Sequence, residues 1–253
     1  MKISTIVISC TAIFLYSCSP YYYAPNKTNV PNIREQNDIR LDAGLGGGLV
    51  MRGADVQFAY APLPHFGIMV NSAFTGSIQR TNIDNIERDE TKSSYLEAGL
   101  GYFTKLEENN NWVFEIYGGG GKGDFRLWYS PDQRARVSMN KYFIQPSLSF
   151  THPRRPIEFS IGSRFSGASH SLKYSTLIDT EYDYDYRNLR NNIKGPLSVY
   201  WEPSFRFSGG FKKLKGYVSY TPSLGILNTN DDTREFMNIS LGLRLTLHAS
   251  RKK

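Results

Sequence analysis

The sequence is short of everything that would tie a chain together covalently or through a metal. It has 2 cysteines in 253 residues, Cys10 and Cys18. Cys10 lies within an apolar leader, so the mature chain keeps one thiol and no internal disulfide is possible. The 4 histidines, His65, His152, His170 and His248, lack metal-ligand spacing, so no metal and no other non-covalent cofactor is expected. No apolar run beyond residue 17 is long enough for a membrane-crossing helix. A crossing would have to be made by strands closed into a barrel, because hydrocarbon offers no partner to open backbone groups. Acidic residues are the minority charge, 23 against 30 basic, for a net +7. A basic balance of that size suits nucleic acid or anionic lipid, and its placement along the chain separates the two.

What the chain has is alternation. Met237, Ile239, Leu241, Leu243, Leu245 and Leu247 interleave with Asn238, Ser240, Gly242, Arg244 and Thr246. Period two with one apolar and one polar face predicts a strand. Ten segments follow this design, at about 38–46, 52–61, 66–78, 94–105, 112–122, 139–150, 157–167, 197–208, 215–224 and 237–247. The links after the second, fourth, sixth and eighth are short. Those after the third, fifth and seventh are long, at 79–93, 123–138 and 168–196. Short turns at one end and long loops at the other mark bacterial outer-membrane barrels. The brief link at 47–51 is the exception. An even strand count places both chain ends on the periplasmic side.

The polar face separates a membrane barrel from a soluble β-sandwich, which also alternates. A solvated outer face carries long polar side chains. Here that face mixes Gly and Ser with isolated Glu and Arg, as a crowded lumen requires. Glu97, Glu115, Glu158 and Glu202 with Arg164, Arg206 and Arg244 form the expected lumen charge network. Exposed cross-strand ion pairs are the alternative. The fold expected is all-β: a transmembrane antiparallel up-and-down β-barrel of about ten strands, its narrow lumen mostly filled by side chains.

Lys2 precedes an apolar run over 3–16 that ends Leu15-Tyr16-Ser17-Cys18. This resembles the lipobox of bacterial lipoproteins. The resemblance implies cleavage before Cys18 and covalent lipid on it. The chain then divides into a lipoprotein signal peptide (1–17), an extended tether (18–37), a β-barrel (38–248) and a basic tail (249–253). Pro20, Pro25 and Pro31 make the tether extended. Its tyrosines, Tyr21 to Tyr23, suit either a headgroup layer or the barrel mouth. Cys18-Ser19-Pro20, then Tyr22-Tyr23-Ala24-Pro25-Asn26 and Asn29-Val30-Pro31 ahead of strands, resembles the outer-membrane β-barrel lipoproteins of the Bacteroidota. The acidic run found after the cysteine in that group's surface-exported lipoproteins is missing. The resemblance therefore implies an anchor on the periplasmic leaflet.

Arg154, Arg155, Lys212, Lys213, Lys215, Arg251, Lys252 and Lys253 fall at expected periplasmic turns or at the end of the chain. There they meet anionic headgroups or form a solvated rim. The compartment excludes nucleic acid. The partners expected are outer-membrane lipid and an extracellular ligand or partner at the loops. Asp179, Glu181, Tyr182, Asp183, Tyr184, Asp185 and Tyr186 form the most unusual loop. If extended, its acids and tyrosines separate onto two faces, giving a surface contact patch or a solvated hairpin.

Ser169-His170-Ser171 raises a lipid-modifying hydrolase, but strand neighbours point opposite ways and no catalytic residue is assigned. Gly118 to Gly121 before Lys122 lacks the hydroxyl and helix of a phosphate loop and suits a barrel wall. The reading is a non-enzymatic outer-membrane β-barrel lipoprotein of a Gram-negative envelope, with a structural or binding role through its outer loops. The hydrolase and a narrow solute channel are the alternatives.

Overall fold

Each of the ten alternating segments forms a strand in the computed structural model, which describes residues 21–77, 90–106, 111–130, 132–177, 184–230 and 233–248. The strands are β1 (Asp38–Gly47), β2 (Met51–Leu63), β3 (Phe66–Ser77), β4 (Glu90–Lys105), β5 (Trp112–Trp128), β6 (Arg134–Thr151), β7 (Ile157–Ser175), β8 (Ser198–Gly210), β9 (Leu214–Pro222), β10 (Leu224–Leu227) and β11 (Met237–His248). Helix α1 (Tyr184–Lys194) lies between β7 and β8. β9 and β10 both pair with β8 and are one stave interrupted at Ser223, so eleven segments make ten staves. Neighbours in sequence pair antiparallel around the ring. β1 then pairs with β11, from Asp38 opposite His248 to Gly47 opposite Ile239, which closes the barrel.

The closure sorts the two faces. Leu45 and Leu241 are 70% and 64% exposed on the outside, whereas Arg244 is fully buried inside. An apolar exterior of this extent is stable only against hydrocarbon. One end of the barrel carries the links at 64–65, 106–111, 152–156 and 211–213, and is called the lower end. The upper end carries 48–50, 78–89, 129–133, the α1 link and 228–236. The brief link at 48–50 is held by Glu235, whose carboxylate accepts from the Val50 and Met51 amides at 2.8 and 2.9 Å.

Three strands run further up than their alternation predicts. The long link expected at 123–138 shrinks to 129–133, and the one at 168–196 begins only after Ser175. Spanning the membrane takes about 9–11 tilted residues, so β5, β6 and β7 project beyond it. In the projecting part the polarity inverts. Phe125, Leu127, Val137 and Met139 face inward, while Arg126 and Arg136 face out. Water replaces lipid outside, and an apolar cluster replaces the charged lumen inside. A pattern read as apolar-out therefore ends too early.

Two lumen tyrosines explain where glycine is required. The Tyr117 ring lies across Gly101 and Gly67, which are paired in register on β4 and β3. The Tyr217 ring lies across Gly242 and Gly44 on β11 and β1 in the same manner. A side chain on either glycine pair would meet the ring. Gly242→Val is expected to lower barrel stability by about 1–3 kcal/mol, as overpacking does, read as a shift in the urea midpoint of the refolded barrel.

Candidate functional site

The lumen is occupied by the chain's own tether. Residues 21–37 pass down the inside of the barrel from its upper end to its lower end, where β1 begins. Tyr22, Tyr23, Lys27, Val30, Asn32 and Ile33 are each 1% exposed or less. A buried extended segment must find partners for its backbone groups among lumen side chains. Pro25 and Pro31 carry no N–H and reduce the donors to be satisfied.

At the upper end the Tyr21 amide donates to Thr91 Oγ1 at 3.1 Å. The Tyr22 amide donates to the Thr233 carbonyl at 2.8 Å, and Tyr23 forms a parallel bridge with Arg234. Tyr22 Oη lies 2.5 Å from Tyr129 Oη, and the Tyr23 ring stacks on Tyr200 at 3.9 Å. These rings join Phe125, Leu127, Val137 and Leu189 in one apolar cluster. Leu189 belongs to α1, with Tyr186 and Ile193 packed against the same cluster. The spacing 186, 189, 193 is helical, and it caps the barrel.

Below that cap is a layer of charge. Arg164 pairs with Glu97 and Lys141 with Glu202, each at 3.1 Å, with all four side chains buried. Asn26 sits among them. Its Nδ2 donates to Glu97 at 3.0 Å, and its Oδ1 accepts from Lys141 and Arg164, each at 3.2 Å. Tyr23 Oη donates to Glu202 at 2.6 Å. A gap beside Asn26, Ser93 and Lys141 measures about 20 Å³, room for about one water. Lower still, Lys27 pairs with Asp55 and donates to Tyr217 Oη.

The middle of the tether is held by its carbonyls. Gln57 Nε2 donates to the Lys27 carbonyl at 2.7 Å and Gln145 Nε2 to the Asn29 carbonyl at 2.6 Å. Arg244 Nη2 donates to the Val30 carbonyl at 2.8 Å. The same guanidinium pairs with Asp42 at 2.9 Å and Glu158 at 3.3 Å. Arg206 reaches Asp42 at 2.8 Å and Lys215 reaches Glu158 at 2.6 Å. Glu115 accepts the Asn32 and Ile33 amides at 2.9 and 3.1 Å. At the lower rim Arg34 donates to the Asn111 carbonyl and Gln36 to the Pro62 carbonyl, each at 3.0 Å.

The seven network residues read from the sequence all face the lumen, and six of them fall into two layers. Glu97, Arg164 and Glu202 belong to the upper layer; Glu158, Arg206 and Arg244 to the lower. Glu115 belongs to neither, since it holds backbone. Sequence reasoning missed Asp42, Lys141 and Lys215 as members, although all three lie on polar strand faces. It also missed Asn26, Asn29 and Asn32, although they recur at every third residue of the tether.

Several other expectations change. Lys215 points into the lumen rather than joining the basic rim, because its strand position is inward. Arg154, Arg155, Lys212 and Lys213 are exposed at the lower end. The loop at 179–186 is not an extended hairpin at its C-terminal part, since Tyr184, Asp185 and Tyr186 open α1. Asp179, Glu181, Tyr182 and Asp183 lie outside the described residues, as do Cys18 and the basic residues at 251–253. His170 Nε2 is 3.0 Å from the Tyr22 carbonyl, and its ring meets Phe125 edge-on. Ser171 bonds Ser138 at 2.7 Å instead. Tyr21 sits at the upper end of the barrel, opposite the end at which β1 begins. Strand parity omitted the extra crossing that the tether makes through the lumen.

The fold and lumen define a closed antiparallel β-barrel with the build of an outer-membrane protein, filled by its own N-terminal segment. No protein-family model matches the sequence. No curated protein matches it either. Solved structures similar in fold include the following three. The translocator domain of the autotransporter NalP from Neisseria meningitidis is 13% identical over 82% of this chain and 87% of that one, with a TM-score of 0.41. OmpT, an outer membrane protein of Vibrio cholerae, is 8% identical over 83% and 64%, with a TM-score of 0.33. Acinetobacter baumannii CarO is 9% identical over 81% and 97%, with a TM-score of 0.27. These likenesses carry no argument about role; the class stands on the strand pairing and the sorted faces.

Proposed function

We propose that this protein is a sealed outer-membrane β-barrel lipoprotein of Bacteroidota type, with a non-enzymatic structural or binding role at its loop-bearing end. One observation carries the reading: the tether fills the lumen from end to end, with α1 over its upper mouth. A filled lumen leaves the upper surface as the place for contact with a ligand or partner. The short-link end is assigned to the periplasm and the long-link end to the outside. The lipid on Cys18 rests on the motif Leu15-Tyr16-Ser17-Cys18.

The test combines heat-modifiable gel migration, acyl labelling of wild type against Cys18→Ser, and recording in planar bilayers. Wild type is expected to shift on heating, to incorporate acyl label only when Cys18 is present, and to pass no steady current. Steady current through the full-length chain would favour the solute channel. His170→Ala is expected to leave phospholipid and lipid A profiles unchanged. An altered profile would favour the hydrolase.

A further inference from the structure

We infer that the chain threads its own barrel so that its N-terminal end emerges at the cell surface, which seats a lipid on Cys18 in the outer leaflet. The lipid clause rests on the lipoprotein reading above; the direction of threading rests on the lumen contacts. Those contacts descend in order. Tyr21 bonds Thr91 at the upper end, Asn29 bonds Asn71 at 2.6 Å midway, and Arg34 bonds Asn111 at the lower rim. The tether runs the height of the lumen, and it does so before the first strand begins.

Covalent reach fixes the consequence. Cys18 is three residues from Tyr21, which spans about 10 Å at most when fully extended. The apolar band of such a barrel is about 25 Å tall. Cys18 therefore cannot return to the periplasmic leaflet while Tyr21 keeps its place. The tether is also too well packed to be drawn through a finished ring, since Asn26 and Lys27 are buried among paired charges. The barrel closes around it, and export of the N-terminal end is part of closure rather than a separate step. This route needs no acidic export signal after the cysteine.

The experiment uses full-length protein in intact cells and a membrane-impermeant maleimide. Ser19→Cys reports the N-terminal end. Asn191→Cys, exposed on α1, reports the upper end, and Lys213→Cys reports the lower end. Ser19→Cys is expected to label like Asn191→Cys, with Lys213→Cys labelled only after permeabilisation. Should Ser19→Cys follow Lys213→Cys instead, the threading direction is overturned. Should Asn191→Cys be the protected one, the orientation of the barrel is wrong and the surface seat falls with it. Wild type is expected to stay unlabelled because acylation blocks Cys18. Labelling of wild type would remove the lipid and leave the direction of threading standing. If position 19 is inaccessible in both conditions, an epitope inserted between Ser19 and Pro20 replaces it. Antibody binding to intact cells then supports the inference, and binding only after permeabilisation overturns it.

Discussion

Deletion of residues 21–36 is expected to turn a silent barrel into a conducting one. The full-length chain blocks its lumen with a segment whose side chains reach the wall at every level, from the Tyr22–Tyr129 contact to the Arg34–Asn111 bond. What remains after deletion is a ring lined by Asp42, Glu97, Glu115, Lys141, Glu158, Arg164, Glu202, Arg206, Lys215 and Arg244. Charges that lose a protein partner draw in water. A polar, water-filled passage through a closed barrel conducts ions. The deletion also removes the bonds from Gln57, Gln145 and Arg244 to tether carbonyls and the two amides on Glu115. At about 0.5–1.5 kcal/mol for each such bond, the expected loss of stability is several kcal/mol. The check is planar-bilayer recording of a deleted barrel that still shows heat-modifiable migration. A correctly folded, silent deletion variant would end the view that the tether is the seal.

Arg244→Met is expected to cost about 3–5 kcal/mol, the range for breaking a buried pair from one side. Arg244 holds two carboxylates and one tether carbonyl at once, and its side chain is fully buried. Removing it leaves Asp42 with Arg206 and Glu158 with Lys215, each short of one partner. The double variant Asp42→Asn with Arg244→Met is expected to lose less than the sum of the two single variants, since both act within one network. Urea unfolding in lipid vesicles reads all three. A loss below about 1 kcal/mol for Arg244→Met is what an exposed surface pair would give, and it would show the lower layer to be solvated.

Much of the barrel is legible in the chain because its signal is local. Leu241, Leu243 and Leu245 against Ser240, Gly242 and Arg244 declare two faces within six residues, and a strand needs no more. The limits of that signal are visible in β5 and β6. There Phe125 and Val137 turn inward above the membrane, where the solvent outside has changed. Asp42 and Lys141 stand on faces identified as polar, yet Arg206 and Glu202 reach them from strands that are not their hydrogen-bonded neighbours. Choosing them required the shape of the lumen. In α1, the period-two run of acids and tyrosines masks a helical set, because Tyr186, Leu189 and Ile193 acquire an apolar partner only when the barrel mouth exists.

By itself the sequence determined the strands, the faces they present and the count of staves that closes the ring. Each of these follows from alternation between near neighbours and from the inability of hydrocarbon to satisfy an open edge. Only the tertiary structure decided where the tether lies. Pro25 and Pro31 keep this segment from forming helix or strand wherever it lies. The partners of the tether backbone, such as Glu115 for Ile33 and Arg244 for Val30, are about 80 and 210 residues away. Nothing in a local pattern encodes a bond of that range, and bonds of that kind hold much of the course of residues 21–37 through the lumen.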